Sequence, residues 1–99
     1  MTAFNVVRFQ TKPGCEEKVE QIHRDTSVNF PGFIRGSLIK TGDISYCMIG
    51  EWDSQSSINA SENDMVSMLD SFRDLLEDLD SGMGVTDPVA GEVMVEFKV

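Results

Sequence analysis

The sequence predicts an α+β fold in which a four-stranded antiparallel sheet carries two helices on one face, and three observations lead there. Runs rich in β-branched and aromatic residues alternate with runs of helical period, in the order β-α-β-β-α-β. The breaks between them, Lys12-Pro13-Gly14, Phe30-Pro31-Gly32-Phe33 and Thr41-Gly42-Asp43, carry turn chemistry where that order needs it. A length of 99 residues supplies a single core, so residues 1–99 are read as one domain. With right-handed crossovers this order is the ferredoxin-like arrangement.

Phe4 to Gln10 reads as the first strand, with Asn5, Val7 and Phe9 on one face and Phe4, Val6 and Arg8 on the other. Glu16 and Glu17 then suit a helix N-terminus, and a first helix runs to about Val28 with Val19, Ile22 and Thr26 inward and His23 at the margin. Pro31-Gly32 suits the centre of a type II turn. Phe33 to Lys40 and Ile44 to Trp52 form the next two strands, joined as a hairpin. Asp53 or Ser54 caps a short helical turn containing Ile58, and Ser61 to Asp80 is the main second helix, with Met65, Met68, Leu69, Phe72, Leu75, Leu76 and Leu79 on one stripe. The run from Gly82 to Gly91 reads as a connector, and Glu92 to Val99 as the fourth strand, with Val93, Val95, Phe97 and Val99 inward.

Two helices cover only one face of such a sheet, yet the first and third strands are apolar on both. The uncovered face therefore needs a partner, and a second copy of the chain, docked sheet to sheet, is the simplest one.

A formal net charge of −9 repels phosphate backbones and anionic membrane surfaces, which excludes nucleic acid and lipid as main partners. The N-terminal stretch lacks the basic and apolar regions of a secretory signal, and a cytoplasmic location is expected. Cys15 and Cys47 match no zinc or redox spacing and read as free thiols. Asp70, Asp74, Glu77 and Asp78 line the wet side of the second helix without a loop to wrap an ion, so no metal is expected.

The opening strand followed by Lys12-Pro13-Gly14-Cys15-Glu16-Glu17, the Phe30-Pro31-Gly32-Phe33 entry to the second strand, and the third strand's end at Glu51-Trp52-Asp53-Ser54 resemble the antibiotic biosynthesis monooxygenase family of the dimeric α+β barrel superfamily. The resemblance covers nearly all of the first sixty residues. It implies a small pocket between the helices and the sheet, and a chemistry in which O₂ oxidises a small phenol- or quinol-type aromatic with neither metal nor flavin as cofactor. Such a pocket must favour the deprotonated substrate and keep it dry.

Trp52 is then a candidate to flank a flat substrate and donate its indole N–H, His23 a candidate base and Arg8 a candidate oxyanion partner. Each also has a structural reading, as a core tryptophan, a half-buried histidine and a surface arginine. Tyr46 and Asn5 are candidate hydrogen-bonding groups, and Met65, Met68 and Phe72 candidate pocket walls. A haem-degrading branch of the superfamily uses an asparagine in the first strand, a tryptophan ending the third and a histidine in the second helix. Here only Trp52 matches, with Val7 at the asparagine's place, so haem degradation is not expected. The alternative to an enzyme is a non-catalytic homodimer that binds a small molecule or serves as an interaction module.

Overall fold

Strand propensity and turn chemistry place the hairpin as expected. In the computed structural model, which describes every residue except Asp80, Ser81 and Met83, the strands are β1 (Ala3–Gln10), β2 (Phe33–Lys40), β3 (Ser45–Trp52) and β4 (Asp87–Glu92). The helices are α1 (Glu16–Asp25), α2 (Gln55–Ala60) and α3 (Glu62–Asp70), followed by a 3₁₀ turn at Arg73–Leu75. The strand order β2-β3-β1-β4, antiparallel throughout, is the ferredoxin-like sheet.

Local chemistry explains the punctuation. The Phe33 N–H donates to the Phe30 carbonyl at 3.1 Å across Pro31-Gly32, and Gly32 takes φ +85°, the left-handed value a type II turn needs at that position. Ser54 caps α2 by accepting the Ser57 N–H at 3.1 Å. Ser61 makes no side-chain cap for α3, contrary to its capping-box pattern; its own N–H donates back to Ser57 and Ile58, so α2 runs straight into α3.

Register sorts the side chains onto two faces. Ala3, Asn5, Val7 and Phe9 stand opposite Trp52, Gly50, Met48 and Tyr46, all toward the helices. The core divides there into two clusters: Phe9, Val19, Tyr46, Phe72 and Leu76 at one end, and Ala3, Trp52 and Ile58, packed with Phe30, Phe33 and Met65, at the other. The outer face carries Phe4, Val6, Ile49, Cys47 and Val89, flanked by the ion pairs Arg35–Glu51 at 2.7 Å and Arg8–Asp87 at 3.0 Å. Nothing in the described chain covers this face, and Val89 is 62% exposed. Both cysteines are free.

Two expected elements are corrected. The helix expected over Ser61 to Asp80 stops at Asp70, because the chain turns Phe72 into the core and then runs beside the end of β1. There Lys12 N–H donates to Leu75 O at 2.8 Å and Glu77 N–H to Gln10 O at 2.9 Å. The end of that helix at Asp80, and Met83 of the connector, lie outside the described residues.

The fourth strand lies earlier than expected, at Asp87–Glu92 and not Glu92 to Val99. Its partner sets its limit: β1 begins at Ala3, opposite Glu92, so after the Val93 N–H donates to Thr2 O at 2.9 Å the ladder has no more acceptors. Pro88 is tolerated because β4 is an edge strand. The residues expected inward beyond Val93 stand in solvent, with Phe97 93% exposed.

Candidate functional site

Between the two core clusters the helix-facing side of the sheet is built from Gly36, Leu38, Met48, Gly50, Val7 and Asn5. Two of these are glycines, and the room they leave is taken by neighbouring side chains, Phe33 over Gly36 and Asn5, Trp52 and Phe33 over Gly50. One cavity of about 490 Å³ lies between α1 and the β2–β3 hairpin, lined by Glu20, His23, Arg24, Phe33, Leu38, Lys40, Tyr46, Met48 and Met68 among others. A second, of about 300 Å³, lies between α2, α3 and the β1–β4 pair, lined by Asn5, Val7, Phe9, His23, Met48, Met65, Met68 and Phe72 among others. His23, Met48 and Met68 line both and therefore stand between them.

His23 reaches this position from the margin of α1. Its ring stacks on Phe9 with centroids 6.0 Å apart and meets Phe72 edge-on at 4.7 Å. Nδ1 lies 2.8 Å from the Val19 carbonyl oxygen, which can only accept, so Nδ1 carries the hydrogen and Nε2 of the neutral ring offers a lone pair. Among the described residues Nε2 is buried with no hydrogen-bond partner, a state it shares with the Thr11 hydroxyl.

Tyr46 lines the larger cavity, and its hydroxyl donates to Glu20 at 2.5 Å. Burial, and then the Glu20 carboxylate, push the Tyr46 phenol up to about 12. The same hydrogen bond holds the Glu20 carboxyl below its ordinary value, with the cations of Lys40 and Arg24 adding to the effect. Arg24 bonds Glu20 at 3.4 Å, and the Lys40 ammonium lies 5.6 Å over the Tyr46 ring.

Trp52 stands elsewhere. It is 1% exposed, stacks on Phe30 at 5.9 Å, and lines neither cavity. Its indole N–H, expected as a donor to substrate, donates to Asn5 Oδ1 at 2.8 Å inside the core. Gly50 makes that bond possible, since a Cβ there would come within 2.5 Å of Asn5 Oδ1. Arg8, expected as an oxyanion partner, lies on the other side of the sheet. It projects from the outer face into its ion pair with Asp87, away from both cavities.

The structure brings His23 together with Asn5, Met65, Met68 and Phe72 around the smaller cavity, and with Tyr46 and Met68 around the larger. Glu20, Arg24, Lys40 and Met48 also line the larger cavity and were not singled out from the sequence. Their signal is weak there, because it depends on how α1 lies over β2. Asn5 has a clearer place than expected: it, and not Val7, reaches Trp52, while its amide lies 3.6 Å from the Met65 sulfur.

The chain has the fold of the antibiotic biosynthesis monooxygenases. A candidate member from Chloroflexus aurantiacus superposes with a TM-score of 0.72 at 15% identity, over 99% of this chain and 98% of that one. SnoaB, a cofactor-independent oxygenase from Streptomyces nogalater, gives 0.72 at 19% identity over 96% and 95%. MhuD, in the form of a mutant with two manganese protoporphyrin IX bound per active site, gives 0.67 at 16% identity over 98% and 99%. No protein-family model matches the chain, and no curated protein matches it. Identities of this size carry the fold and leave the chemistry to the site.

Proposed function

We propose that the protein is a cofactor-independent monooxygenase-like enzyme that oxidises a small phenol- or quinol-type aromatic held against His23. One observation carries the reading: His23, which lines both largely apolar cavities, holds a buried Nε2 with no hydrogen-bond partner among the described residues. A substrate hydroxyl donating to Nε2 satisfies that buried atom and gives the proton a destination, leaving an electron-rich phenolate against largely apolar walls. O₂ then takes four electrons from the substrate: a ring C–H bond breaks and a C–O bond forms, giving a quinone. The ring hydrogen and the hydroxyl proton held by His23 leave with the second oxygen atom as water. Met48 and Met68 line both cavities together with His23, and their unbranched side chains re-pack readily. Phe72 and Met65 act as walls, the Asn5 amide is a further polar group on the smaller cavity, and Trp52 acts through its hold on Asn5.

Oxygen uptake measured with a panel of phenols and quinols tests this: uptake with at least one is expected, and none with any would overturn it. The second reading is a non-catalytic small-molecule-binding or interaction protein. It is favoured by the fact that the Trp52 N–H and the Tyr46 O–H are both already spent within the chain. Both readings share a homodimer, in which a second copy covers the apolar outer face formed by Phe4, Val6, Ile49 and Val89.

A further inference from the structure

The charges around the larger cavity have a sense of their own. The chain holds 17 acidic and 8 basic residues, and each of its arginines is taken up by a carboxylate: Arg8 by Asp87, Arg24 by Glu20, Arg35 by Glu51 and Arg73 by Asp70. Lys40 differs. It lines the cavity, faces the helices beside Tyr46 in the β2–β3 register, and makes no ion pair among the described residues.

Glu20, the acidic group of that lining, is already committed to the Tyr46 hydroxyl at 2.5 Å and to Arg24 at 3.4 Å. The rim therefore carries one more positive than negative side chain, on a molecule whose net charge is −9. The rest of the lining includes apolar Leu38, Met48 and Phe33. A neutral apolar ligand gains nothing from such a rim, whereas an anion that steers past the surrounding field finds its counter-charge there.

Resting on the reading of this cavity as an aromatic site, we infer that its substrate class is the aromatic hydroxy acid. The ionised carboxylate meets Lys40 at the rim, the ring lies against Leu38 and Met48, and the hydroxyl points toward His23. Because Lys40 is solvent-exposed, the carboxylate serves selection more than raw affinity.

The test is a fluorescence titration of the full chain at low salt with 6-hydroxy-2-naphthoate and with its methyl ester. The acid is expected to bind about tenfold more tightly than the ester, the difference one partly exposed charge-assisted hydrogen bond supplies. Lys40→Gln should cut that ratio below about threefold, while Lys40→Arg and the remote Lys98→Gln should keep it near the wild-type value. Equal binding of acid and ester by the wild type, or an undiminished ratio in Lys40→Gln, overturns the carboxylate assignment alone. Failure of both compounds to bind the wild type overturns the aromatic site itself, and the assignment with it.

Discussion

Tyr46 and Trp52 carry the rarest aromatics of the chain, and each spends its polar atom on a neighbour: Tyr46 on Glu20 and Trp52 on Asn5. Their burial at 1% exposure is the burial of core residues with satisfied donors. The Tyr46–Glu20 bond has a readable pH signature. Folding raises the phenol from 10.0 to about 12, so its contribution is complete below about pH 10 and is lost as the pH climbs toward 12. Folding lowers the Glu20 carboxyl below 4.5, so that contribution is complete above this value and is lost as acid is added. Tyr46→Phe should therefore cost about 1 kcal/mol at neutral pH and flatten the alkaline fall in stability, read from urea midpoints across that range. An alkaline arm identical to that of the wild type would contradict the assignment. His23 was legible as a candidate because it is the sole histidine and sits beside an apolar stripe. The unpaired Nε2 was not, since it follows from Phe9 and Phe72 closing around the ring.

At the scale of elements, β2 and the Pro31-Gly32 turn were legible to the residue, because both rest on local chemistry that no distant contact overrides. The last strand was not. Val93, Val95, Phe97 and Val99 alternate more cleanly than Asp87–Glu92, yet strand identity goes to the segment with a partner, and β1 offers its ladder only from Ala3 onward. The long second helix failed for a related reason, since its apolar stripe continued past Asp70 although Leu76 was needed beside Thr11. A chain ending after Val93 should keep the far-UV circular dichroism and cooperative unfolding of the full chain, because the residues removed add no rung to the sheet. Loss of cooperative unfolding would show that they do.

The whole molecule presents two surfaces with different tasks. The outer face of the sheet is apolar and framed by ion pairs, which suits a second copy; light scattering at micromolar concentration should give the mass of a dimer, and a clean monomer would contradict this. The inner face carries two cavities, and His23 lines both of them. On the proposed function the chemistry rests on His23, with Trp52 as part of the frame. Oxygen uptake with an accepted phenol, compared between His23→Phe, which keeps the aromatic packing and deletes the acceptor, and Trp52→Phe, separates these roles most directly. Uptake lost in folded His23→Phe and retained in folded Trp52→Phe is the expected result; uptake that survives in His23→Phe would contradict it.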